Sequence, residues 1–203
     1  MAKILSVVTK ASLLRVVDPV ARALLHAGVS PNVVTVVGTV GVVAASVGLA
    51  ARGHLVIAAF VIAACALTDM LDGAMARARG TTSRFGALLD STMDRIADGA
   101  IFASLAYWLA TQDLYATLAA ALVCLVSGQI VSYVKARAEG LGFDANVGIA
   151  ERTERLLIIG VGGLAWGLKI PFALDVALWL LAVLSVITVA QRMTHVYRQA
   201  RAS

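Results

Sequence analysis

The spacing of charge along the 203 residues constrains the fold more than any other feature. Asp, Glu, Lys and Arg are absent from 23–51, 53–68, 99–112, 114–134, 156–168 and 176–191, runs of 29, 16, 14, 21, 13 and 16 residues. A helix crosses the hydrocarbon core of a bilayer with about 20 mostly apolar residues, so the shorter runs reach that length by taking in charges at their ends. Only 14% of the chain is charged and 60% is hydrophobic, which excludes an ordinary water-soluble globule. The expectation is an all-α polytopic membrane protein in one domain, 1–203, with six transmembrane helices in 28–203. Residues 1–27 are expected to form an N-terminal amphipathic helix at the interface, because Ile4–His26 spaces Lys10, Arg15 and Arg22 among apolar residues. Ser30-Pro31 then reads as the N-cap and first position of the first span.

Basic residues set the orientation. Lys3, Lys10, Arg15, Arg22, Arg77, Arg79, Arg84, Lys135, Arg137, Arg152, Arg155, Arg192, Arg198 and Arg201 fall on one side of the six expected spans, against Arg52 and Lys169 on the other. The positive-inside rule places the richer side, with both termini, in the cytoplasm. Charges at Lys3, Lys10 and Arg15 interrupt any early apolar core, so no secretory signal is expected. Cys65 and Cys124 both lie in apolar runs, which suggests neither a disulfide framework nor a thiolate metal site. A net charge of +5 in such a chain suits anionic lipid or an anionic substrate rather than nucleic acid. Gly140–Gly148 reads as a loop, and Gly162, Gly163 and Gly167 resemble a close-packing face, although such glycines more often only thin a helix.

Five of the twelve acidic residues crowd into thirty positions. Asp69 and Asp72 stand at i, i+3, and Asp90, Asp94 and Asp98 at i, i+4, i+8, so each set shares a helix face. Carboxylates beside a membrane are costly and point to a function with a partner at hand. Two facing carboxylate pairs would give a hard divalent cation its oxygen ligands, the rest of the shell coming from water and substrate phosphate.

These residues also carry a resemblance. Asp69-x-x-Asp72-Gly73-x-x-Ala76-Arg77, eight residues, then Gly86-x-x-x-Asp90-x-x-x-Asp94 resembles the signature of the CDP-alcohol phosphotransferases at every fixed position. The resemblance implies a six-helix homodimer holding two divalent ions, Mg²⁺ or Mn²⁺, on Asp69, Asp72, Asp90 and Asp94. It further implies transfer of a phosphatidyl group from CDP-diacylglycerol to an alcohol, with CMP released and Asp94 as general base. Pro31, Asn32, Thr35, Asp69, Gly73, Ala76, Arg77 and Ser83 match its nucleotide-contact positions. Asp98 lies outside the signature and is expected to be solvated or to stand behind the site.

The acceptor is read from the fourth loop. Ser132-Tyr133-Val134-Lys135-Ala136-Arg137 ends the fourth expected helix, Glu151-Arg152-Thr153-Glu154-Arg155 opens the fifth, and Arg192 ends the sixth. Cations from three helix ends suit an acceptor that carries its own phosphate. The same segments resemble the inositol-phosphate-using branch of the family found in actinobacteria, with Thr153 in place of a usual Pro. The branch resemblance implies myo-inositol 1-phosphate as acceptor, bound by Ser132, Lys135, Arg137, Arg155 and Arg192. Glycerol 3-phosphate, giving a phosphatidylglycerophosphate synthase, is the rival acceptor, and a divalent-cation transporter the rival from another class.

Overall fold

The computed structural model describes residues 17–79 and 83–202, with Asp69 and Ala202 described in their backbone alone. Among the described residues all regular structure is helical: α1 (17–26), α2 (Pro31–Gly48), α3 (Leu55–Ala66), α4 (Thr68–Ala78), α5 (Arg84–Thr111), α6 (Tyr115–Gly140), α7 (Arg152–Gly167) and α8 (Ala173–Ala202), plus a 3₁₀ turn at Ala50–Arg52. The expected interfacial helix is helical from residue 17 onward, and its part in 1–16 lies outside the described residues.

Four segments are long and apolar enough to cross a membrane: Pro31–Arg52, Leu55–Ala78, Tyr115–Gly140 and Ala173–Arg201. The other two expected spans fall short of that standard for different reasons. Helix α5 has the length, 28 residues, but carries Arg84, Asp90, Asp94, Arg95 and Asp98 between its start and its midpoint turn. Helix α7 has only 16 residues. The second expected span divides into α3 and α4 at Leu67, which keeps helical dihedrals (φ −66°, ψ −20°). Thr68 Oγ1 there turns back to donate to the Cys65 carbonyl at 2.5 Å, a local competitor with the helix ladder.

The chain forms two compact units, one of residues up to Ala44 with Phe60–Ala97, the other of Ala45–Ala59 with the chain from Asp98 onward. In the first, Val17, Ala21, Leu24 and Leu25 line one face of α1 and pack with Val34, Leu71, Ala74 and Met75. Helix α2 crosses the α3–α4 segment almost backbone to backbone. A Cβ at Gly41 would lie 2.7 Å from Cys65 Sγ, and one at Gly38 would collide with Thr68 Oγ1. Ser30 caps α2 as expected, its Oγ accepting the Val33 amide at 3.4 Å.

In the second unit α8 packs along both α6 and α7. Ala120, Ala121, Cys124, Leu178 and Leu181 are fully buried there. Of the three glycines Gly162, Gly163 and Gly167, Gly162 faces Ala177 of α8 and Gly167 faces Val56, as a packing face would, whereas Gly163 has nothing within 4 Å. Both cysteines are free. The segment from Leu141 to Glu151 is a loop, close to the expected Gly140–Gly148, and three residues of α8 hold it. Thr188 Oγ1 accepts the amides of Ile149 and Ala150, Arg192 donates to the Val147 carbonyl, and Gln199 bonds both the amide and the carbonyl of Asp144. Gly148, at φ +140°, lets the chain pass where a Cβ would lie 2.5 Å from Thr188 Cγ2. This loop delivers the first turn of α7.

Candidate active site

Helix periodicity puts the signature aspartates where the sequence analysis expects them, Asp69 and Asp72 on α4 and Asp90 and Asp94 on α5, all in the first unit. Asp72 is 8% exposed, and its Oδ2 accepts a hydrogen bond from Thr35 Oγ1 at 2.6 Å. Asp94 is partly buried, with Arg95 at 3.8 Å from its Oδ2, and Asp90 is exposed. No cluster of three potential metal ligands occurs among the described side chains, a set that does not include Asp69. The donor set nonetheless fits a hard divalent ion: four carboxylates and no nitrogen or sulfur, with Asp72 held at a fixed angle by Thr35.

Of the expected nucleotide positions, Asn32 and Ser83 meet where the starts of α2 and α5 approach each other. Ser83 caps α5, its Oγ accepting the Gly86 amide at 2.8 Å. A Cβ at Gly86 would lie 2.9 Å from that Oγ and 3.4 Å from Asn32 Oδ1, so the bare glycine keeps this corner open. Gly73 likewise faces Arg77 Nη1, whose exposed side chain lies back over it one turn away. Pro31 and Ala76 are partly buried. Thr35, also expected among the nucleotide contacts, is buried, and its hydroxyl donates to Asp72.

In the second unit, α5, α6, α7, α8 and the loop bring several cations together. Arg155 is 1% exposed, and its Nη2 donates to Asp98 Oδ2. Asp98 Oδ1 lies 3.4 Å from Arg152 Nε. Asp98 itself is 4% exposed, so of the two expectations, solvated or standing behind the site, the first does not hold. Gly128 of α6 makes room for the guanidinium: a Cβ there would touch Arg155 Cζ and Nε at 3.5 Å. Arg192 is 3% exposed and donates to the carbonyls of Val131 (2.7 Å) and Val147 (2.8 Å) and to Glu151 Oε1 (2.9 Å). Lys135 Nζ donates to Asn146 Oδ1 at 2.8 Å, and Ser132 Oγ to the Gly128 carbonyl at 3.3 Å. Arg137 does not join this group. It is exposed, and two residues beyond Lys135 it points about 200° around α6.

Four cations meet in this group: Asp98 faces Arg155 and Arg152, Glu151 faces Arg192, and Lys135 donates to the neutral Asn146. Arg155 Nε, though buried, has no hydrogen-bond partner. Buried donors are nearly always paired, so an orphaned cationic N–H calls for an explanation, and an incoming anion supplies one. Arg152 and Arg155 also stand in the first turn of α7, where cations oppose the helix dipole. Their placement serves something other than the helix.

Residues 28–194 match the sequence profile of the CDP-alcohol phosphatidyltransferases. The chain belongs to this family. It is 47% identical over 181 residues to a phosphatidylinositol phosphate synthase of Mycobacteroides abscessus, covering 88% of this chain and 82% of the relative. The enzyme of that name from Mycobacterium tuberculosis H37Rv is 46% identical over 197 residues, covering 93% and 89%. The crystal structure of the M. tuberculosis phosphatidylinositol phosphate synthase with CDP-DAG bound superposes with a TM-score of 0.87 at 47% identity, covering 90% of this chain and 94% of that one. Its complex with manganese and citrate gives 0.85, covering 89% and 88%. As a CDP-alcohol phosphatidyltransferase the chain is an enzyme of membrane phospholipid synthesis, and the cation-transporter reading is overturned.

Sequence reasoning about this phosphatidyltransferase missed Asp98, Arg152 and Glu151 as members of the basic group. The signal for Asp98 was present, since it continues the i, i+4 series of Asp90 and Asp94 by one more turn of α5.

Proposed function

We propose that the enzyme transfers the phosphatidyl group of CDP-diacylglycerol to a hydroxyl of myo-inositol 1-phosphate, giving phosphatidylinositol phosphate and CMP. The observation that carries the choice of acceptor is the buried Arg155, clamped by Asp98 with its Nε unpartnered, in a group that also holds Arg192 and Lys135. A phosphate monoester brings close to two negative charges at neutral pH and three acceptor oxygens, which suits cationic donors and gives Arg155 Nε an acceptor. Arg155, Arg192, Lys135 and Ser132 would hold the acceptor phosphate, while the inositol ring offers a hydroxyl to the reaction. The names of the relatives support this acceptor.

Asp69, Asp72, Asp90 and Asp94 would hold two Mg²⁺ or Mn²⁺ ions, which when bound neutralise the diphosphate and stabilise the departing CMP oxygen. The chain's own groups do the rest. Asp94 takes the proton of the acceptor hydroxyl as its oxygen bonds to the phosphatidyl phosphorus and the bond to CMP breaks. Thr35 holds Asp72, and Asn32, Ser83 and Arg77, around the bare Gly86 and Gly73, receive the nucleotide. Residues 1–203 act as one catalytic domain. In the membrane α5 and α7 complete six spans, α5 by placing its charged first half at the cytoplasmic face and α7 by drawing on flanking residues. Both termini and the site face the cytoplasm, and two copies form the working dimer.

CMP release by the purified protein with CDP-diacylglycerol and Mg²⁺ tests the proposal. Parallel reactions contain myo-inositol 1-phosphate, free inositol, glycerol 3-phosphate or serine. CMP with the inositol phosphate alone is expected. Equal release with glycerol 3-phosphate would overturn the acceptor and leave the family chemistry intact.

A further inference from the structure

Asp98 lies outside the signature, four residues beyond Asp94 on α5, yet at 4% exposed it is nearly as buried as Arg155. Its two oxygens are divided between two side chains of α7: Oδ2 takes Arg155 Nη2, and Oδ1 faces Arg152 Nε at 3.4 Å. Nothing in the local structure of α7 asks for this arrangement, because both arginines stand at the helix end that disfavours cations. The guanidinium of Arg155 is aimed by the carboxylate of Asp98 on one edge, the bare backbone of Gly128 against Cζ and Nε, and its own first-turn position. Bidentate phosphate recognition depends on the angle of the guanidinium plane, so the residue that fixes that angle governs how well the phosphate is held.

We propose that Asp98 is a positioning residue for acceptor recognition, its carboxylate orienting Arg155, with Arg152 beside it, toward the acceptor's phosphate. This rests on the basic group being the acceptor pocket. Asp98 does not touch the substrate and acts through Arg155. Its loss therefore weakens the acceptor and spares the nucleotide donor.

Steady-state kinetics of the purified full chain with CDP-diacylglycerol and myo-inositol 1-phosphate test this, using Asp98→Asn, Asp98→Glu, Arg155→Gln and the double variant Asp98→Asn/Arg155→Gln. Asp98→Asn should raise the acceptor KM on the order of tenfold, the scale of one lost charge-assisted hydrogen bond, with the donor KM unchanged. The double variant should be no worse than Arg155→Gln alone, since both changes remove one interaction. Asp98→Glu, which keeps the charge but shifts it by one methylene, should fall between Asp98→Asn and the parent. If Asp98→Asn fails to fold, Asp98→Glu carries the test, and an unchanged acceptor KM in it overturns the proposal. Equal losses in kcat and in both KM values would mark a merely structural role and also overturn it. An acceptor KM raised by Arg155→Gln but untouched by Asp98→Asn would remove Asp98 from the site and leave the pocket standing. An acceptor KM indifferent to Arg155→Gln would instead remove the pocket, and the inference with it.

Discussion

Thr35 Oγ1 donates to Asp72 Oδ2 at 2.6 Å, a buried bond between the first turns of α2 and the signature segment of α4. The Pro31 carbonyl lies 3.2 Å from the same hydroxyl, but a threonine has one proton to give and the charged acceptor is nearer. The residue thus serves to aim a carboxylate. Thr35→Val keeps the shape and removes the bond, worth about 1.5–3 kcal/mol to a charged group. Titration of activity with Mn²⁺ should show the half-saturating concentration rising on the order of tenfold, whereas Thr35→Ser stays near the parent. A raised KM for CDP-diacylglycerol with an unchanged metal curve would return Thr35 to the nucleotide.

The carboxylates themselves give a sharper contrast. Chelation with EDTA should bring CMP release to the blank, and added Mg²⁺ or Mn²⁺ should restore it. Asp94→Asn removes both a metal oxygen and the base, so its loss should reach at least about 10²-fold and should not be recovered by excess metal. Recovery at high Mg²⁺ would leave Asp94 a ligand and assign the base elsewhere.

The helical class and the signature were legible because both are written in local spacing. Charge-free runs, the cap at Ser30 and the i, i+3 and i, i+4 aspartates need no knowledge of tertiary structure. The basic group was only half legible for the same reason. Lys135 and Arg137 are equivalent in composition, and only the phase of α6, fixed by what Gly128 and Val131 face, separates them. Asp98 was visible as a further turn of the aspartate series, but its partners come from a segment more than fifty residues away. The number of spans was blurred by α5, where residues serving chemistry displace the apolar ones by which a span is recognised.

Gly162 and Ala177 test the packing of α7 on α8. A Cβ on Gly162 meets Ala177 Cβ, so Gly162→Ala should lower the melting temperature despite the better helix propensity of Ala. Overpacking costs about 1–3 kcal/mol against the roughly 1 kcal/mol gained from propensity. Exchanging the residues, Gly162→Ala with Ala177→Gly, should recover most of the loss in a thermal melt of the detergent-solubilised protein. Additive destabilisation in the double variant would show that the two positions do not share the space.

Arg192 and Arg137 differ in a way that composition hides. Arg192 spends its guanidinium on Val131, Val147 and Glu151, joining α6, the loop and the start of α7 to α8, and a lysine cannot make those bonds at once. Arg192→Lys should therefore do three things together: lower thermal stability by about 1–3 kcal/mol, expose the 141–151 loop to limited proteolysis, and raise the acceptor KM, because Arg192 is itself among the proposed phosphate-holding groups and Arg155 sits on the turn that this loop delivers. Arg137→Ala, on the exposed side of α6, should change none of the three beyond about twofold, as expected of a surface position. The opposite pattern, a raised acceptor KM for Arg137→Ala and none for Arg192→Lys, would mean that the acceptor enters from the far side of α6.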